Sequence, residues 1–340
     1  MPPKRAESNK RKAADSDEET AAPSRSSSKK TKVAGSESAT EGQTAPNGQP
    51  TNKVLPMSIS FPPRVEGTTR ITTWNICGLA AASKKGFKYY VEAEDSDILI
   101  LTETKVNDEP IDPVLTQRYP YRYWTISSKK TYSGTAILSK HEPLSVDKTL
   151  PGHPDPDSVK GRIITLEFED YYIIGTYTVN AGEKLKTLDA KRLWNEHFEV
   201  YVRDLDKKKP VIWGGDLNVA PTAEGNGVPF HLANPKPNWN KTPGYTEAET
   251  SSFARILNPP DAEGAGKFVD IWRAKHPIDR HYTYFSYRFN CRMKGIGWRL
   301  DMFVLSDRIA ERVKMCEIRS DIYGASDHCP VTMEIAQISS

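Results

Sequence analysis

The chain has 340 residues, and 47 Lys and Arg against 44 Asp and Glu leave a formal net charge of +3. That length allows one large or two ordinary domains with a sizeable core, and the charge is too mild to announce a polyanion ligand by composition. No apolar run approaches the roughly 18 residues of a membrane-spanning helix, the N-terminus lacks the apolar stretch of a signal peptide, and four scattered cysteines form no CxxC pair. A disulfide framework, a cysteine zinc site and a membrane partner are therefore not expected; a soluble intracellular protein is.

Residues 1–60 contain no Phe, Trp or Tyr and hold ten Lys and Arg against seven Asp and Glu, whereas residues 61–340 hold 37 of each. Any nucleic-acid surface on the folded part must then be a local concentration of charge. A segment so poor in apolar groups cannot offset its ordering entropy, and residues 1–63 are predicted to be a disordered basic tail. Within it, Lys10-Arg11-Lys12 and Lys29-Lys30-Thr31-Lys32 read as a nuclear localisation signal, favoured over the plainer reading of a solvated charged tail. Asp15, Asp17, Glu18 and Glu19 argue against a mitochondrial transit peptide. The expected location is the nucleus; what the tail binds, if anything, is not legible.

From residue 64 to 340 the pattern is that of one globular domain. Strands are predicted at Arg70–Ile76, Asp97–Thr102, Tyr121–Ser127, Thr135–Ser139, Arg162–Glu167, Tyr171–Val179, Val211–Trp213 and Asp301–Leu305, most of them separated by Gly, Pro, Asn or Asp. Leu185–Leu205 places Leu188, Trp194 and Phe198 at helical spacing among charged residues, and Thr246 with Glu249 three positions on forms a capping signal for a helix to Leu257. Successive strands without intervening helices predict antiparallel pairing, with inserted helices covering the outer faces. Layer logic then favours an α/β sandwich of two mixed sheets.

Short polar clusters close several of these strands: Asn75, Glu103, Tyr177 with Asn180, Asp216 with Asn218, Asp301, and Asp327 with His328. Polar groups at strand ends can converge on one crevice while the strands hold them rigid. Glu103, Asp216 and Asp327 suit hard-cation or base chemistry. Mg²⁺ takes oxygen ligands and keeps several waters, so one or two carboxylates suffice. Phosphodiester hydrolysis requires neutralised phosphoryl oxygens, an activated water and a stabilised leaving oxygen, and the inventory covers all three. Each cluster alone also has a plainer reading: Asp-Leu-Asn as turn chemistry, Ser326-Asp327-His328 as a cap, and Asp301 as a partner of Arg299 or Arg162.

The clusters in sequence are more specific. TWNxxGL at 73–79, LTETK at 101–105, YSG at 132–134, NAG at 180–182, GGDLNVAP at 214–221, GWRLD at 297–301 and SDHCP at 326–330 span nearly the whole globular part. On these motifs the chain from about Arg70 to Ile335 resembles the exonuclease III-type AP endonucleases of the endonuclease/exonuclease/phosphatase superfamily. The resemblance implies a DNase I-like fold, a four-layer α/β sandwich of two mixed β-sheets flanked by helices. It also implies a Mg²⁺-dependent enzyme of base excision repair, with Mn²⁺ as a substitute, that cuts double-stranded DNA 5′ to an abasic site and carries 3′→5′ exonuclease or 3′-phosphodiesterase activity.

Carried over residue by residue, the resemblance makes Glu103 the principal metal carboxylate, assisted by Asn75 and Asp327, with Asp216, Asn218 and His328 also at the metal or the phosphate. Asp216 would orient or deprotonate the attacking water or protonate the leaving group, and Asn218 would hold the phosphate and the nucleophile. His328, oriented by Asp301, would hydrogen-bond or act as a base at the scissile phosphate; the sequence leaves the choice between Asp216 and His328 open. Tyr177 and Asn180 would contact phosphate oxygens, Arg162, Arg288 and Arg292 would contact DNA, and Tyr284, Trp298 and Leu300 would line a pocket for the baseless sugar.

Three positions depart from the family pattern. Cys77 stands in place of an acidic or amide residue, and a neutral thiol is a poor Mg²⁺ ligand. Glu183 stands where nuclear relatives present an Arg to DNA, and Arg288 where they present an apolar wedge; Arg288 is expected to make the invading contact. The alternatives are an RNA deadenylase or phosphoinositide phosphatase of the same superfamily, or a non-catalytic DNA-binding or redox regulator.

Overall fold

In Ile98–Thr102 all five residues are buried. Alternate side chains of such a strand point to opposite faces, so a run of this kind is stable only with a layer on each side. The computed structural model, which describes residues 43–221, 238–260 and 266–338, supplies those layers. Its strands are β1 Thr68–Asn75, β2 Ile98–Thr102, β3 Tyr121–Thr125, β4 Thr135–Ser139, β5 Ser145–Asp147, β6 Ile163–Glu167, β7 Tyr172–Tyr177, β8 Val211–Asp216, β9 Phe268–Asp270, β10 Asp301–Ser306, β11 Val313–Ile318 and β12 Val331–Ala336.

They form two six-stranded sheets, ordered β11-β12-β1-β2-β4-β3 and β5-β6-β7-β8-β10-β9. Each sheet has one parallel pair, β1 with β2 and β7 with β8, and the remaining pairs are antiparallel. The connection within each parallel pair carries a helix, as a crossover requires. This is the two-sheet sandwich expected from the sequence.

The layers can be read from which apolar residues meet. Ile71, Ile98, Ile100 and Ile137 of one sheet pack with Ile164, Ile173, Ile212 and Phe303 of the other in the central core. The alternate residues Leu99, Leu101 and Leu138 turn outward onto Phe87, Tyr90 and Val91 of the helix Phe87–Glu94. On the far side, Ile174, Trp213 and Val304 meet Trp194 and Phe198 of the helix Leu188–Asp206 and Phe253 of the helix Glu247–Leu257. The sheets approach closely at Gly175, where an added Cβ would lie 2.9 Å from Ile100 Cγ2 of the facing sheet. The capping signal at Thr246 is realised: its side chain accepts from Glu249 N at 3.3 Å, and its hydroxyl donates to Glu249 Oε2 at 2.8 Å.

Two expectations are corrected. Strands β5, β9, β11 and β12 were not predicted. β5 and β9 have only three residues each, and β12 carries a glutamate, Glu334, whose charge hides an otherwise apolar run. That glutamate is buried because Arg70 on β1 meets it, Nε to Oε1 at 2.9 Å.

The disorder expected as far as residue 63 is also corrected for its last part. Residues 1–42, with both basic clusters, lie outside the described residues, but 43–63 pack on the domain. Gln49, 1% exposed, accepts from Tyr282 N at 2.8 Å and donates to Tyr282 O and Ser320 Oγ at 2.9 Å each. Asn52 donates to Asp321 O at 2.8 Å, and Leu55, Ile59 and Phe61 pack against the Phe87–Glu94 layer. Amide side chains here substitute for strand pairing, so composition gives little sign of the order. Among the described residues no helix is long and apolar enough to cross a membrane.

Candidate active site

Topology brings the polar strand ends together. Asn75 ends β1, and Glu103 follows β2, its parallel neighbour. Tyr177 and Asp216 are paired at the ends of parallel β7 and β8, and Asp216 is paired with Asp301 at the start of antiparallel β10. Asp327 and His328 lead into β12, which runs antiparallel to β1 and so begins where β1 ends. All these positions fall at the same edge of the sandwich.

Asn75, fully buried, joins the two sheets: its Nδ2 donates to Glu103 Oε1 at 3.0 Å and to Asp216 Oδ2 at 2.9 Å. Its Oδ1 accepts from Cys77 N at 3.0 Å, which fixes the amide orientation. The loop carrying His328 is tied to β1 by Ser326 Oγ donating to Asn75 O at 2.7 Å and by Trp74 Nε1 donating to His328 O at 2.9 Å. His328 Nδ1 donates to Asp301 Oδ2 at 2.7 Å. That bond fixes the ring and leaves Nε2 for the cleft. Arg299, by contrast, pairs with Asp270 at 3.0 and 2.6 Å, so it is not the partner of Asp301.

Burial opposes a charge on His328, but Asp301, then Asp216 and Asp327, overcome it and push its pKa up to about 10. The imidazole is therefore cationic at neutral pH. Burial first, and then the neighbouring Asp301 charge, raise Asp216 to about 7. Burial likewise opposes ionisation of Glu103, yet Lys105 and the Asn75 amide hold it below its ordinary value; Lys105 Nζ lies 2.9 Å from Glu103 Oε2. Burial, then the charges of Glu103 and Asp216, hold Tyr177 well above the usual phenol range, so its hydroxyl stays a neutral donor, hydrogen-bonded to Glu103.

Asn218 turns the chain after β8 with a left-handed φ of 48°. Its Nδ2 donates to Thr178 O at 2.9 Å, and its Oδ1 accepts from Asn180 Nδ2 at 2.7 Å. Asp327 is partly exposed at the cleft. Tyr284 lies with its ring 4.8 Å from that of His328 and bridges to Trp298. Tyr284, Trp298 and Leu300 cluster with Tyr245 and Trp239 into an aromatic wall beside the histidine.

The three arginines separate. Arg288 is exposed, as a DNA contact demands. Arg292 is 3% exposed: its guanidinium stacks on Phe285 and Tyr323 and donates to Asn52 Oδ1 at 2.9 Å. It is a structural clamp, and its expected DNA contact is withdrawn. Arg162 is also buried, donating to Ser158 O at 3.1 Å, Tyr177 O at 3.3 Å and the Tyr132 hydroxyl at 3.0 Å. It braces Tyr177 and Tyr132 and has no free face for a phosphate. Cys77 sits 3.6 Å from Lys105 Nζ with its thiol raised by burial, then by Asp327 and Glu103, so it stays neutral.

Sequence reasoning assigned no role to Lys105, Lys191, Tyr132 or Tyr245. Lys105 and Tyr132 stood inside quoted motifs. Lys191 gave no signal, because a lysine near the start of a helix usually faces water. Here it is 1% exposed, and burial pulls its pKa down to about 8.

A divalent cation fits this donor set. Asp216, Asp301 and, in its neutral form only, His328 offer ligand atoms within 4.8 Å of one another, and the buried Asp301 Oδ1 has no hydrogen-bond partner among the described residues. On the other side of Asn75, Glu103 already holds one cation, the Lys105 ammonium. An anionic, oxygen-rich cleft of this kind suits a hard ion.

Comparison with known proteins agrees with the geometry. The model of the Endonuclease/Exonuclease/phosphatase family matches residues 72–328. An exodeoxyribonuclease of Bacillus subtilis is 40% identical over 268 residues, 78% of this chain and 99% of that protein. The DNA repair nuclease APEX1 of Danio rerio is 40% identical over 271 residues, 78% of this chain and 82% of that protein. Among solved structures, an AP endonuclease from Leishmania major superposes with a TM-score of 0.65 at 25% identity, covering 88% of this chain and 97% of that one.

Proposed function

The chain belongs to the endonuclease/exonuclease/phosphatase family, and from that premise we propose that it is a DNA repair phosphodiesterase acting in base excision repair, an AP endonuclease that cuts duplex DNA 5′ to an abasic site. One observation carries the reading: Asn75 bridges Glu103 and Asp216 across the two sheets, with the Asp301–His328 pair beside them. The named relatives are an exodeoxyribonuclease, a DNA repair nuclease and an AP endonuclease, which supports 3′→5′ exonuclease or 3′-phosphodiesterase action at the same site. No observation favours the deadenylase, the phosphoinositide phosphatase or the non-catalytic regulator.

Glu103, with Asn75 and Asp327 and with Asp216 and Asn218 on the facing side, would hold Mg²⁺ or Mn²⁺, which when bound neutralises charge on the phosphoryl oxygens; His328, protonated on both ring nitrogens, has no lone pair for the ion and leaves the expected ligand set. Cys77 adds nothing to that set, being neutral. The charge pattern supports a reading of the remaining roles. A histidine already protonated cannot accept a proton, so His328 serves as a cationic hydrogen-bond donor to a phosphate oxygen. Asp216, near neutral in its pKa, is the acceptor for the proton of the attacking water. Asn218 and Asn180, fixed by their mutual hydrogen bond, present amide groups to the phosphate, and Tyr177 offers its neutral hydroxyl to the developing negative charge.

Tyr284, Trp298 and Leu300, completed by Tyr245, support recognition of a flipped sugar. A pocket already filled with aromatic rings excludes a base, and a nucleotide without one is the easiest to unstack. The deciding experiment uses a labelled duplex with one abasic analogue, incubated with Mg²⁺ or with chelator. A single metal-dependent nick 5′ to the analogue is expected; an intact duplex overturns the reading. A 3′-recessed duplex in parallel tests the exonuclease. Nuclear import, proposed from the two basic clusters, is tested by replacing both with alanine in a fluorescent fusion and looking for its loss from nuclei.

A further inference from the structure

A buried ammonium is costly unless it is paired and hydrogen-bonded. Lys191, in the first turn of the helix Leu188–Asp206, sends Nζ inward to Leu217 O at 2.8 Å and, more weakly, to Asn218 O at 3.4 Å. These are the two carbonyls directly after Asp216. The acidic groups acting on it are Glu249 and Asp216.

Glu249 is itself committed to the same turn. It accepts from Gly244 N at 3.0 and 2.9 Å, and Gly244 O accepts from Ala220 N at 2.8 Å. Gly244 lies so close that an added Cβ would be 3.1 Å from Asn218 O. The turn 216–220 is thus gripped by Lys191 from one helix and, through Gly244, by Glu249 from another. Between them sits Asn218, a non-glycine residue in the left-handed region, which persists only where its surroundings hold it.

We propose that Lys191 is a positioning residue for phosphodiester cleavage, clamping the Leu217 and Asn218 carbonyls so that the Asp216 carboxylate and the Asn218 amide face the cleft together. It touches no reacting atom; it acts through the backbone. The proposal rests on the phosphodiesterase reading above, and two measurements keep the two apart.

The first is steady-state nicking of the abasic duplex by Lys191→Met. A sub-ångström loss of alignment is expected to lower kcat by about 10- to 100-fold with KM within about twofold, and Lys191→Arg, which keeps a charged donor, should recover most of the loss. Wild-type kcat in Lys191→Met, or a change in KM alone, overturns the clamp. The second is amide hydrogen exchange, which requires no substrate. The Leu217 and Asn218 amides, bonded to Leu300 O and Asp216 Oδ1 at 2.9 and 3.0 Å, should exchange faster in Lys191→Met while the β8 amides do not. Unchanged exchange overturns the clamp even if the wild-type protein does not nick abasic DNA. If Lys191→Met does not fold, Lys191→Gln, too short to reach both carbonyls, carries the same two criteria.

Discussion

At the scale of single residues, the site works by setting two carboxylates and one imidazole to different protonation states within one crevice. Glu103 is kept ionised by Lys105 and Asn75, Asp216 is raised to about 7 by burial and Asp301, and His328 is raised to about 10 by Asp301 against burial. Glu103→Ala removes the carboxylate that Lys105 and Asn75 hold below its ordinary value, and we expect both a higher Mg²⁺ requirement and a fall in kcat of about 10²-fold or more. A metal titration of the nicking rate checks it. His328→Asn should likewise lower kcat by at least ~10², and a much smaller loss would demote the residue to positioning. The pH profile follows from the same groups. The active form has Asp216 deprotonated and His328 protonated. Activity should therefore fall as pH drops below about 7 and again as it rises past about 10. A bound cation shifts the acid limb lower, because positive charge favours the carboxylate. Asp301→Asn removes the charge that holds the imidazolium, so the alkaline limb should move to lower pH; a limb that stays in place would mean His328 does not set it.

At the scale of elements, the segment 43–63 behaves as part of the catalytic domain. Gln49 satisfies both the N–H and the C=O of Tyr282, two residues before Tyr284 of the aromatic wall. Leaving these buried backbone groups unpaired costs about 1–3 kcal/mol each. Gln49→Ala should therefore destabilise the protein by about 2–6 kcal/mol, measured as a lower urea midpoint. Deletion through residue 63 should lower the midpoint well below that of deletion through residue 42, which isolates the contribution of the packed segment. Equal midpoints for the two deletions would show the segment to be dispensable. The same logic explains why Arg292 was misplaced by sequence: its neighbours Arg288 and Lys294 are exposed, but Arg292 is drawn inward by Phe285, Tyr323 and Asn52.

At the scale of the whole molecule, the two sheets gather polar groups at one edge of the sandwich while the core between them is built largely of aliphatic side chains and Phe303. Beside that edge the segment 287–296 presents Arg288 and Lys294 together with exposed Tyr287, Phe289 and Ile296. Charged and apolar groups on one projecting segment suit a duplex that is both held by phosphate and opened. Arg288→Ala is expected to weaken binding to an abasic duplex by several-fold, since a single good phosphate or base contact is worth about 1–3 kcal/mol. Fluorescence anisotropy at fixed salt measures it, and unchanged affinity would remove Arg288 from the interface.

Much of the protein was legible from its residues alone. β4 was predicted with its observed limits, the helix capped by Thr246 was found, and the motif clusters that form the cleft stood in recognisable order, because local periodicity and capping are properties of a few neighbouring residues. β2, β4 and β10 were readable for the same reason: all their residues are buried, so each carries a nearly continuous apolar run. What only the tertiary structure decided involves partners on different elements, 26 to 264 residues apart in the chain. Asp301 belongs to His328 and not to Arg299, Glu334 hides behind Arg70, Gln49 completes Tyr282, and Lys191 faces the Asn218 turn in place of water. A charged or amide side chain carries the same one-letter signal whether it is solvated or buried. Only the folded chain shows which groups have exchanged water for a partner, and with it which of them are free to do chemistry.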